Sequence, residues 1–137
     1  MKNRRTLLTI TGLFIAMTAC TETEKQTATL SDGSYTGTFT VEYDDGQNDS
    51  NSVTITISGN HYSCSAGENH IPAGGHGTFT ISGSTITFRD EMMWTADFDW
   101  NLILNGEYNF KIDGGEIEIS AMKNSLGLYQ YKLRKDE

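Results

Sequence analysis

Leu104–Ser120 reads LNGEYNFKIDGGEIEIS, and its pattern decides the fold class. Tyr108, Phe110 and Ile112 alternate with Glu107, Asn109 and Lys111, and Ile117 and Ile119 alternate with Glu116 and Glu118. Successive side chains of a strand point to opposite faces, so each run predicts a strand with one apolar and one wet face. Between the runs stands Asp113-Gly114-Gly115, and glycine takes the positive φ that a tight hairpin turn demands. The unit is an antiparallel hairpin, and the chain on either side repeats it.

Upstream, GTFTIS and TITF place Phe79, Ile81, Ile86 and Phe88 inward, with Gly83–Ser84 fitting a two-residue turn. SYTGTFTVEY puts Tyr35, Phe39, Val41 and Tyr43 on one face, and SVTITIS does the same with Val53, Ile55 and Ile57. Asp44–Asn51 reads as the turn between them. Gly59–Asn60 marks another tight turn before HYSCS, where Tyr62 and Cys64 share a side. Alternation resumes around Leu102 and Leu104, and LYQYKLR closes the chain with Tyr129, Tyr131 and Leu133. This amounts to eight short strands, and no segment after the first 20 residues keeps a helical period. One wet face per strand suits an antiparallel sheet. Eight such strands predict an all-β, single antiparallel up-and-down barrel, with a β-sandwich as the alternative. The barrel is preferred because closure removes the exposed edges.

The N-terminus obeys different rules. Lys2, Arg4 and Arg5 precede an apolar run of 11 residues, Leu7–Met17, and small residues precede Cys20. That is the layout of a secretory signal peptide, and the run is shorter than the roughly 20 residues that span a bilayer. MTAC resembles the lipobox of bacterial lipoproteins, which implies cleavage before Cys20 and acylation of its thiol by fatty chains such as palmitate. Residues 1–19 are thus expected to be removed and 20–32 to form an acylated, polar tether. Residues 33–137 form the barrel domain. Thr21 in place of Asp points to the outer membrane, and the TETEK that follows resembles the surface-export signals of bacteroidete lipoproteins. The predicted location is the cell envelope, with membrane contact through the lipid on Cys20.

Without residues 1–19 the chain holds seven Lys and Arg against 18 Asp and Glu, a formal charge of −11. Such a surface repels phosphate backbones and argues against a nucleic-acid partner. Cys64 is the only cysteine besides Cys20, so an acylated Cys20 leaves no intramolecular disulfide.

SYTGTF, GTFTISGSTITF, LNGEYNFKIDGGEIEIS and LYQYKLRK together resemble the small lipocalin-like, calycin-type lipoproteins of bacteroidete-type bacteria. The resemblance covers about residues 33–135 and rests on turn and core positions. It implies an eight-stranded meander and carries no catalytic residues.

Other clusters are weaker. His61, Cys64, His70 and His76 offer zinc-type donors, but the spacing H-x₂-C-x₅-H-x₅-H is no regular zinc pattern. Asp45, Gln47 and Asp49 begin like a calcium loop, and Ser50 and Thr56 then stand where Gly and Glu are needed. Neither a metal nor a cofactor is expected. Arg89–Asn101 concentrates Met92, Met93, Trp94, Phe98 and Trp100 among four carboxylates, as a plug for the barrel or as a gripping surface. The expected function is non-enzymatic. A small apolar or amphipathic ligand would sit in the barrel against Tyr35, Tyr62, Phe88, Trp94, Trp100 and Tyr108. The alternative is a filled core that binds another envelope protein, or inhibits an enzyme, through loops 66–76 and 89–101.

Overall fold

Strict alternation leaves each strand one dry face, and curling the sheet around them buries all eight such faces without leaving an open edge. A computed structural model describes residues 28–137; the expected leader 1–19, Cys20 and the first part of the expected tether lie outside the described residues. The strands are β1 (Gly33–Tyr43), β2 (Asn48–Ser58), β3 (His61–Cys64), β4 (Gly75–Ser82), β5 (Thr85–Asp90), β6 (Gly106–Asp113), β7 (Glu116–Lys123) and β8 (Gly127–Lys135). Each pairs antiparallel with its sequence neighbours, and β8 returns to β1 from Tyr35↔Lys135 to Tyr43↔Gly127. The result is a closed, eight-stranded up-and-down barrel, an architecture compatible with a lipocalin-like fold and not a sandwich.

The two ends differ. At the closed end, two-residue turns at Gly59–Asn60, Gly83–Ser84 and Gly114–Gly115 join the strands, each with glycine at positive φ. Both ends of the described chain lie here as well: Asp136 N–H donates to the Ser34 carbonyl, and Lys135 Nζ lies 2.9 Å from Ser31 Oγ. At the other end, the mouth, lie the 44–47 and 124–126 turns and the two long connections, 65–74 and 91–105.

The interior is one apolar cluster drawn from all eight strands. An aromatic chain crosses it: Phe39 lies 4.7 Å from Tyr131, Tyr131 6.3 Å from Tyr108, Tyr108 5.8 Å from Phe88, and Phe88 4.8 Å from Tyr62. Edge-on and tilted rings of this kind gain quadrupole attraction beyond their buried area. Gly37, the glycine of SYTGTF, marks a close approach, since a Cβ there would collide with the Lys132 carbonyl oxygen of β8.

Two boundaries depart from the sequence reading. β2 starts at Asn48, because the ladder with β1 continues through Glu42↔Asn48, and only Asp44–Gln47 turns. Leu102 and Leu104 do not begin a strand. Leu102 ends a 3-10 turn, Trp100–Leu102, and β6 starts only at Gly106.

Candidate functional site

The 91–105 connection is long enough to cross the mouth and to reach back into the barrel. Leu102, Ile103 and Leu104 sit in the core at 4%, 4% and 0% exposure. Three apolar side chains in a row have no wet face to offer, so the segment is driven inward as a plug. Its polar backbone must then find partners, because an unsatisfied buried amide is costly.

The partners come from the loop opposite and from the strands. Ala73 N–H donates to the Leu102 carbonyl at 3.0 Å and Leu104 N–H to the Gly74 carbonyl at 2.9 Å, around a one-residue parallel bridge, Gly74↔Ile103. The Tyr62 hydroxyl donates to the Leu104 carbonyl at 2.5 Å, and that of Tyr108 reaches the Ile103 carbonyl at 3.5 Å. Lys123 gathers the rest, with Nζ 3.2, 3.4 and 3.1 Å from the carbonyls of Asn101, Ile103 and Asn105. The ammonium also lies 4.6 Å over the Tyr108 ring and 5.7 Å over that of Tyr129, a cation–π arrangement. Asp99 secures the outer edge of the plug. Its Oδ1 accepts from the Asn101 N–H at 2.9 Å, and its Oδ2 accepts from the Tyr129 hydroxyl at 2.7 Å.

Burial sets the protonation states. It takes the Lys123 ammonium down from its usual 10.5 to about 8, with Asp99 pulling the other way. Burial also holds the phenols of Tyr62, Tyr108, Tyr129 and Tyr131 above their ordinary range. Cys64 is pushed up to about 12 by the same cause, so its thiol is not a nucleophile at neutral pH.

Of the residues expected to line a ligand site, Tyr62, Phe88 and Tyr108 come together beneath the plug. Tyr35 is buried near the closed end, where its hydroxyl donates to the Ser31 carbonyl at 2.7 Å. Trp94 is half-buried at the mouth, donating to Asp90 Oδ2 and packing edge-on against Phe98, which in turn stacks on His70 at 5.7 Å. Trp100 is 57% exposed. The plug is therefore made of Leu102–Leu104, and neither tryptophan fills the barrel.

Cys64 faces the core, whereas His61 and His76 occupy outward positions on β3 and β4. Among the described residues no three His, Cys, Asp or Glu are placed so that they could hold a metal ion together. Asp45 instead accepts from the Gln47 N–H at 2.9 Å, an ordinary turn contact. From sequence, Tyr129 stood only as a core residue of the last strand and Asp99 only as one of four loop carboxylates, and Lys123 was not singled out. One signal was available for Lys123: it stands in phase with Ile117, Ile119 and Ala121, a lysine on an apolar stripe.

Around the plug the mouth is both acidic and apolar. Asp44, Asp45, Glu68, Glu91, Asp97 and Asp99 lie on its connections. Among the described residues, six large apolar side chains are exposed, and Met92, Met93, Trp100, Met122 and Leu126 are at the mouth; only Ile112 is not. Compared with protein-family models, curated proteins and solved structures, the chain matches none.

Proposed function

We propose that this chain is a lipid-anchored, non-enzymatic barrel of the cell envelope, of the bacteroidete lipoprotein type, acting as a filled-core module that offers its mouth to another protein. The observation that carries this reading is the gathering of five exposed Met, Trp and Leu side chains at one end. Such residues in the open are what interface centres use, and scattered polar surface does not need them. The occupied interior supports it further: the chain's own Leu102–Leu104 stand where a ligand would enter, and the Tyr62 hydroxyl is spent on the Leu104 carbonyl. A small-molecule carrier is the second reading. It is favoured by one fact, that the plug is held by loop and side-chain contacts and not by a sheet ladder, so it could withdraw.

One experiment separates the two. A photo-crosslinking residue is placed at Met93, or at Thr87 on the outer wall as a control, in cells of the native host. Capture of one protein from position 93 alone, abolished by Trp100→Ala, supports the module. Native mass spectrometry showing a small-molecule adduct that Tyr62→Ala removes, with no protein captured, would replace it with the carrier. Fractionation of a Cys20→Ala chain tests the anchor separately, with release from the membrane expected.

A further inference from the structure

Outward positions on the eight strands carry Ser, Thr, Asn, Gln, His or charged side chains, with two exceptions that sit side by side. Met122 of β7 and Leu128 of β8 are direct cross-strand partners, and the other partner of Leu128 is Glu42 of β1. Both lie on the outer wall at the mouth rim, in a groove of about 550 Å³ lined by Tyr43, Glu42, Asp44 and Gly127. Leu126 adjoins it, its carbonyl accepting from the Asp44 N–H at 2.9 Å. Met122 and Leu126 are 67% and 48% exposed. The floor is firm, since Tyr43 packs edge-on against the buried Tyr129 at 6.4 Å.

Nothing in the fold needs apolar side chains here. A barrel wall facing water is served by Thr and Ser, as the rest of this one is, and adjacent exposed Met and Leu lower solubility. We propose that this groove docks a cationic, extended segment of a partner protein, its aliphatic side chains on Met122 and Leu128 and its Lys or Arg on the acidic rim.

Charge decides between the occupants. Glu42 and Asp44 line the groove and Asp45 and Asp49 adjoin its turn, while the nearest lysine in sequence, Lys123, points inward onto the plug carbonyls. A second copy docked face to face would set these carboxylates against their duplicates, and an anionic bilayer would meet the same repulsion. A basic partner is attracted and steered. The groove takes Asp44 and Ser125, with Leu126 beside them, from the two short mouth turns, and so rests in part on the reading of the mouth as an interface. It uses nothing of the long connections 65–74 and 91–105, and the Met92 and Met93 resonances tell the two sites apart.

The test uses the full chain in phosphatidylcholine nanodiscs, carrying ¹³C-methyl methionine. The probe is a synthetic peptide of about six residues alternating Lys and Leu, which at roughly 3.3 Å per residue crosses the three strands. It should move the Met122 methyl resonance and leave those of Met92 and Met93 in place. Binding followed by fluorescence anisotropy should weaken at least about tenfold in Glu42→Lys with Asp44→Lys, and likewise in Met122→Lys, with the thermal melt unchanged. Equal binding of a Glu–Leu peptide, a shift confined to Met92 and Met93, or Met122 shifts that follow protein concentration without peptide would each overturn the proposal.

Discussion

Leu104→Ala is the perturbation that weighs the plug. Leu104 has 0% exposure, and its carbonyl holds the Tyr62 hydroxyl at 2.5 Å. Truncation removes the equivalent of three carbon groups, about 2.4 kcal/mol at roughly 0.8 kcal/mol each. The hole left behind adds to this, because neighbours relax only in part, and the total comes to about 3–4 kcal/mol. With a urea slope of about 1.5 kcal/mol/M, the unfolding midpoint falls by about 2 M. Urea titration followed by far-ultraviolet circular dichroism reads that shift directly. Trp100→Ala is the matched control: the ring is 57% exposed and its Nε1–H bonds the Ala96 carbonyl at the surface. It should cost about 1 kcal/mol or less. A loss below about 1 kcal/mol for Leu104→Ala at unchanged slope would refute the plug, since only a hollow interior tolerates that truncation.

Alkaline pH should act in two opposite senses. Lys123 holds its proton only up to about 8 in the fold and to about 10.5 unfolded, so stability rises as pH climbs between those values and is flat in this respect below 8. The phenols of Tyr62, Tyr108, Tyr129 and Tyr131, raised by burial, give stability present below pH 10 and lost above it. The melting temperature should therefore climb and then fall across this range, and Lys123→Met should remove the climb alone. Gly37→Ala should unfold or severely destabilise the barrel, because its Cβ meets the Lys132 backbone of β8, which no rotamer change can move aside; a normal melt would show that the seam gives way. Cys64, buried and pushed up to about 12, should resist an aromatic disulfide reagent in the native state and react at once in denaturant; fast native labelling would mean that β3 opens.

Most of the barrel was legible because a strand's period of two writes its buried face into the sequence. Tyr108, Phe110, Ile117 and Ile119 announced themselves, and so did the Gly83–Ser84 and Gly114–Gly115 turns. The strand count left barrel and sandwich both open, and closure was preferred because it removes the exposed edges. The mouth was harder for a physical reason. Leu102–Ile103–Leu104 are three consecutive apolar residues with carbonyls bonded by side chains from remote strands, and no local period encodes such contacts. Alternation across Leu102 and Leu104 suggested a strand, whereas the inward pull of Ile103 between them is what makes a plug. Trp94 and Trp100 drew attention as bulk fit to close the barrel, yet Leu102–Leu104 occupy that space and the two indoles stay outside it.

An even number of strands has a practical corollary. Because β1 enters and β8 leaves at the closed end, with Thr36 Oγ1 bonded to Asp136 Oδ1, both ends of the described chain lie on the face opposite Met93 and Trp100. A fluorescent protein or affinity handle fused after Glu137 therefore hangs at the closed end, beside the start of the described chain, and leaves the mouth unobstructed. The same adjacency makes the chain a natural candidate for circular permutation. A short bridge from Glu137 to residue 28, with new ends cut between Asn124 and Ser125, would move both chain ends from the closed end to the mouth.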